Sequence, residues 1–503
     1  MNCNKLNFKK FIIQTLAAVL VAFSCFALFG CKSKQDNLVK LSKELSNYEI
    51  NLNLDNQSKT VSASQTVEYL NTSEAILSKI KFHVYPKYFE QGATDKVVPQ
   101  TKVNKCYKNG LSYCQFEVKK LQVSGVETGV VFEGENDGIL SVGLSSSLMP
   151  SERVKIYMEY TIKLPNCEHR FGYGGDTINL ANFYPIACVY KDGEFSSNPY
   201  NANGDPFFSD CANYNVNITA DSNLVVAGTG NKSEILQKEG KTTTNFKALV
   251  VRDFACVLSE KFKVKSDKIG KVQINYFYYN DGNSDLALKA SVDAIGIFSD
   301  LFGDYPYEVF NVVKCDFLHG GMEYPNLVMI SDDIDDLDEY LNVIVHETAH
   351  QWWYGVVGND EYTLPWLDEA ITEFSTALFY DKNSDYNLTH KKIIEGNKQN
   401  YSLFITVYQD VLGSVDTSLR AVDQYDTEPE YTYCTYVKGC LMYESLYSLL
   451  GEKKFLKALN NYFQNNKFSN AQTIDLVNAF SAASGSDMQS FFDSWIKGKV
   501  VLN

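Results

Sequence analysis

From about residue 41 to residue 268, apolar and polar positions alternate in short runs. Val61-Ser62-Ala63-Ser64-Gln65-Thr66-Val67, Val154 to Ile162, Tyr214 to Ile218, Leu224-Val225-Val226 and Phe246 to Val251 are period-two or β-branched. Glu135-Asn136-Asp137-Gly138 and Asn203-Gly204-Asp205-Pro206 punctuate them. Short strands at this spacing predict antiparallel, sandwich-like sheets. After about 269 the pattern changes. Val272 to Tyr279, Val309 to Phe317 and Leu327 to Ile330 read as strands, and Ser284 to Phe302 reads as a helix with Leu288, Val292, Ile295 and Phe302 on one side. From Asp335 to Lys497 helical patterns dominate. The expected architecture is multidomain: an N-terminal antiparallel β domain over 41–268, then an α+β domain over 269–503 that closes in a helical tail.

The first 40 residues follow neither pattern. Lys5, Lys9 and Lys10 precede an apolar run from Phe11 to Phe29, and Leu28-Phe29-Gly30-Cys31 resembles a bacterial lipobox. The expectation is a lipoprotein signal peptide over 1–31, lipidation at Cys31 and a polar tether over 32–40. A plain transmembrane anchor is the alternative. Both put the rest of the chain on the extracytoplasmic face of the cell membrane.

Composition narrows the function. Hydrophobic residues are 45% and charged residues 21% of the 503 positions, which excludes a mostly disordered chain. The net charge of −15 argues against nucleic acid as a partner. Nine cysteines follow Cys31 (106, 114, 167, 188, 211, 256, 315, 434 and 440), an odd number without a C-x-x-C pair. Cys106 with Cys114 and Cys434 with Cys440 are near enough in sequence to bridge.

The chemistry concentrates in Val345-His346-Glu347-Thr348-Ala349-His350. On a helix, positions i and i+4 share a face, so His346 and His350 can hold one metal while Glu347 stands beside it as a base. Gly355 is the expected helix stop. The chain has six histidines, and His83, His169, His319 and His390 read as ordinary polar or surface residues. A tetrahedral zinc site with an open position needs a third protein ligand. Position 356, where one zincin class has a third His, is Val356. Glu369 follows His350 after 18 intervening residues, on a helix whose buried side is Trp366, Ala370, Phe374 and Leu378. One turn on, Glu373 can hold a ligand imidazole.

With this signature the chain resembles the M1 family of zinc aminopeptidases, gluzincins with a thermolysin-like catalytic domain. Gly320-Gly321-Met322-Glu323-Tyr324 resembles that family's G-x-M-E-N exopeptidase motif, and Tyr436-Val437-Lys438-Gly439 its Y-x-K-G segment. Asn182-Phe183-Tyr184-Pro185 and Asn203-Gly204-Asp205-Pro206-Phe207 are similar to the β domain of short bacterial members. The resemblance implies one Zn2+ per chain on His346, His350 and Glu369, with Glu347 as general base and Tyr436 stabilising the oxyanion. It implies substrate binding by Gly320, Gly321, Met322 and Glu323, the last pairing with a peptide's α-ammonium. It also implies a short, lipid-anchored member without the large C-terminal helical domain. Tyr324 stands where the motif has Asn, and Asp176 is the nearest candidate for a second amine anchor. The implied activity is removal of N-terminal residues from extracytoplasmic peptides. The alternatives are a zinc endopeptidase or other zinc hydrolase on the same fold, and an inactive substrate-binding lipoprotein.

Overall fold

The computed structural model describes residues 37–94, 97–413 and 416–500. The signal segment and Cys31 lie outside the described residues. The chain divides between Leu45 and Ser46, and before that point residues 37–42 form one short helix. No helix among the described residues is long and apolar enough to cross a membrane.

Past Ser46, alternation builds the first sheets. Asn47–Asp55 and Thr60–Leu70 bury every second side chain. Their sheet has eight strands, in the order Asn231–Lys238, Lys241–Val251, Ala212–Asp221, Asn47–Asp55, Thr60–Leu70, Arg153–Lys163, Gln115–Val123 and Val126–Glu127. Its pairs are antiparallel except Asn47–Asp55 with Ala212–Asp221. Register puts Val61 opposite Ile162 and Val67 opposite Ile156. All four are fully buried, so a one-residue slip would turn this row to solvent. Two four-stranded sheets and a two-stranded one (Tyr190–Lys191 with Glu194–Phe195) complete the β part; of the four-stranded sheets, one contains Leu77–His83 and Ile139–Leu148, the other Ile178–Ala181 and Ala255–Ser259. Buried Gln65 links the large sheet to the first of these, donating Nε2 to Pro185 O at 2.7 Å.

A five-stranded sheet follows, ordered Lys263–Ile269, Val272–Tyr278, Val309–Cys315, Leu327–Ser331 and Gly321–Met322. It takes its first strand from upstream of residue 269. The two central pairings are parallel, and the short edge strand Gly321–Met322 runs antiparallel to its neighbour. Helix α1 spans Ser284–Phe302, α2 Leu337–Ala349 and α3 Trp366–Lys382. The tail comprises α4 His390–Phe404, α5 Lys438–Leu450, α6 Glu452–Asn466, α7 Thr473–Ser484 and α8 Gln489–Ile496. Asp336 caps α2, accepting from Glu339 N at 2.9 Å.

One buried side chain joins both parts. Arg252, 1% exposed, donates to Ser209 O at 2.9 Å, Tyr354 O at 2.6 Å and Ser469 O at 2.6 Å. Its guanidinium lies on Gly358, where any Cβ would collide with it. The loop after α2 is thereby fastened to the β domain.

Candidate metal centre

Helix α2 ends at Ala349, earlier than the stop expected at Gly355, and His350 is its C-cap. With φ −60 and ψ −15 the cap residue keeps helical geometry, so the i, i+4 relation to His346 survives. The two Nε2 atoms are 3.2 Å apart. Glu369 Oε2, from the first turn of α3, lies 3.1 Å from His350 Nε2 and 3.4 Å from His346 Nε2. Tetrahedral zinc with bonds of about 2.0–2.1 Å holds its donors about 3.3 Å apart. The three donors therefore fit such an ion without rearrangement.

Each imidazole is oriented by its other nitrogen. His346 Nδ1 is 3.2 Å from Glu373 Oε2. His350 Nδ1 is 2.8 Å from Trp353 O and 3.2 Å from Thr372 Oγ1. A proton held at each Nδ1 leaves both Nε2 lone pairs facing Glu369.

Glu347 lies between α2 and the edge strand. A Cβ at position 321 would run into its carboxylate, so glycine is required there. Glu347 Oε2 is buried without a hydrogen-bond partner. Burial pushes its pKa up to about 7, against the pull of His346 and His350. Glu369 goes the other way: His350 and His346 outweigh its burial and hold it at about 2.

Tyr436 sits in a wide π-helical turn, Tyr433–Val437, leading into α5. Its hydroxyl donates to Glu369 Oε1, and its ring lies 6.1 Å from that of His346. The Y-x-K-G pattern has a packing reason. A Cβ on Gly439 would overlap Ala370, so glycine lets α5 close onto α3 one residue past Glu369. Lys438 is 1% exposed and donates to Asp416 Oδ1 at 2.8 Å and Gly498 O at 2.7 Å, fixing the turn from the other side.

These groups open into a cleft of about 320 Å³. Gly320, Gly321, Glu323, His346, Glu347, His350, Glu369, Glu373 and Tyr436 all line it. Met322, expected among the substrate-binding residues, is buried in the core at 1% exposure and does not line the cleft. Glu323 Oε1 is buried and unpartnered, and burial raises its pKa well above the carboxylate range. Tyr324 is fully buried and donates to Asn182 Oδ1 at 2.7 Å, so it ties the edge strand to the β domain.

Several lining residues escaped the sequence reading. Asp205 brings a carboxylate within 4.8 Å of Glu323 and Glu369. It pairs with Arg170, whose guanidinium lies over the rings of Phe207 at 5.0 Å and Tyr200 at 5.9 Å. The Asn203–Phe207 motif was the available signal, but nothing in it gave Asp205 a role. His169 and His319 are not surface residues: both line the cleft, with Nε2 atoms 3.3 Å apart. Burial drives His319 down to about 3, and His83 is also buried. Asp176 is not on this wall and pairs with Lys261.

Residues 286–495 match the Peptidase family M1 domain. Aminopeptidase 2 of Candida albicans is 22% identical over 427 residues, covering 77% of this chain and 43% of its own length. Aminopeptidase N of Lactococcus lactis is 28% identical over 232 residues, covering 43% and 27%. The chain thus spans less than half the length of these relatives. Among solved structures, the M1 zinc metallopeptidase of Deinococcus radiodurans superposes with a TM-score of 0.65 at 16% identity, over 92% of this chain and 95% of that one. A mutant of it bound to the substrate Tyr-Ser-Ala superposes at 0.63. Sheets and helices therefore follow the same overall fold.

Proposed function

On the premise that the chain carries an M1 peptidase domain over residues 286–495, we propose that it is a zinc-dependent aminopeptidase. The observation that carries this is the convergence of His346, His350 and Glu369 at tetrahedral spacing, with Glu347 beside them. Zinc held there supplies Lewis acidity for a peptide carbonyl and lowers the pKa of water. The other steps belong to side chains. Glu347 accepts the proton of the attacking water and returns it to the departing amine. Tyr436, moving its hydroxyl off Glu369, donates to the oxyanion, a contribution of about 3 kcal/mol in comparable sites.

Glu323 sets the exopeptidase register. Its buried, unpartnered oxygen calls for a cation, and the α-ammonium of a peptide is one. Asp205 presents a second carboxylate to the same charge. The substrate backbone adds to the edge strand Gly321–Met322. Hydrolysis of aminoacyl reporters and of N-acetylated peptides, with Glu347→Gln as control, tests the proposal. Free amines are cleaved and acetylated ones spared; equal cleavage of both removes the role given to Glu323.

The place of action is the extracytoplasmic face of the membrane, through a lipid on Cys31. The basic, apolar and Leu-Phe-Gly-Cys segments support it. An intact mass beginning at Met1 would refute it.

A further inference from the structure

Cys106 and Cys167 sit sulfur to sulfur. Their Sγ atoms are 3.0 Å apart, about 1 Å beyond a bonded pair. The residues are 1% and 0% exposed. The backbone around them is already fixed: Glu168 N donates to Cys106 O at 2.9 Å, and Cys167 N to Tyr173 O at 3.0 Å. Gly172, at φ +138, packs against Cys167 O where no side chain fits. Proximity in sequence pointed from Cys106 to Cys114; the fold sets it against Cys167, 61 positions on.

We propose that Cys106 and Cys167 are a disulfide site that staples one wall of the substrate cleft. His169 and Arg170, just after Cys167, line that cleft, as does Val97 before Cys106. Lys102, on the stapled segment, pairs with Glu428 of the cleft lining. The oxidant is a small disulfide such as oxidised glutathione. One protein thiolate attacks a glutathione sulfur and expels the first glutathione. The second attacks the resulting mixed disulfide at the protein sulfur and expels the other. Two protein thiols are oxidised, one disulfide is reduced, and both thiol protons leave on the glutathiones. Buried thiols exchange slowly, so the bond forms as the chain folds. Supply of the oxidant in the cell rests on the export reading; the pairing itself does not.

The test is refolding of the full-length protein in a glutathione redox buffer and, separately, in excess reductant, followed by alkylation and digestion without reduction. The expected product is a linked peptide pair containing Cys106 and Cys167, lighter by two hydrogens than its parts. The oxidised protein should melt about 3 °C or more above the reduced one. Cys106→Ser and Cys167→Ser should lack that increment, and the wild-type peptide map decides even if a variant folds poorly. Complete alkylation of all thiols, or a bond from Cys106 to Cys114, overturns the proposal. Alkylation directly in cells separates the two readings: a bond formed in vitro but absent in the trapped cellular protein counts against export and leaves the staple standing.

Discussion

At the residue scale, the centre depends on two contacts that spacing alone could not establish. Gly321 leaves room for Glu347, so Gly321→Ala should displace the carboxylate. Turnover is expected to fall about 100-fold with zinc content unchanged, because a shift of about 1 Å at a reacting group costs that much. Zinc analysis beside steady-state kinetics checks it, and an unaffected kcat would contradict it. Glu373 holds His346 from behind. Glu373→Gln should weaken zinc binding 10- to 100-fold, read by chelator competition. The ligands were legible because i, i+4 spacing and a following helix constrain them from sequence. Asp205 and Arg170 were not, since two separate loops of the β domain deliver them and only the tertiary fold brings them to the metal site.

Elements place these residues. Helix α2 and the first turns of α3 present the donors, and α5 brings Tyr436 within reach because Gly439 nests on Ala370. Gly439→Ala should push α5 outward, lowering kcat while leaving zinc affinity and KM nearly unchanged. A proportional loss of zinc would instead place the damage in α3. Periodicity located α1 at Ser284–Phe302 and the strand from Val272, which ends at Tyr278 rather than Tyr279; of the expected helix face, Ile295 and Phe302 are buried, while Leu288 and Val292 are half-buried because the smaller Ala287, Ala290 and Ala294 face the core. It placed the end of α2 too late. Gly355 looked like a stop, yet the chain leaves the helix at His350 because Trp352 to Tyr354 turn inward to a fully buried cluster. The two-residue strand Gly321–Met322 has no periodicity to read at all.

At the scale of the whole molecule, burial decides how the fold meets acid. His83 is 1% exposed, its ring stacked at 5.1 Å on Tyr85, and burial drives its pKa from 6.5 to about 4. Below pH 6.5 the unfolded chain takes up a proton that the folded chain refuses. Stability should therefore fall by about 1.4 kcal/mol per pH unit from this group until about pH 4. Urea unfolding between pH 7 and pH 4.5 measures it, and His83→Phe should remove about one proton from the slope. An unchanged slope would show that His83 titrates normally. The two-part architecture was visible as a change from period two to helical periodicity, whereas the Arg252 anchorage was not, because its acceptors are backbone carbonyls and the one side-chain oxygen of Asn470, 218 positions away.

Everything at the three scales converges on one ion. Zinc K-edge X-ray absorption of the purified protein tests it most directly. The account predicts one zinc per chain with two imidazole nitrogens at about 2.0–2.1 Å and a carboxylate oxygen at about 2.0–2.2 Å, lost in a Glu369→Ala variant. Sulfur scattering at about 2.3 Å, or a chain that takes up no zinc, would contradict it.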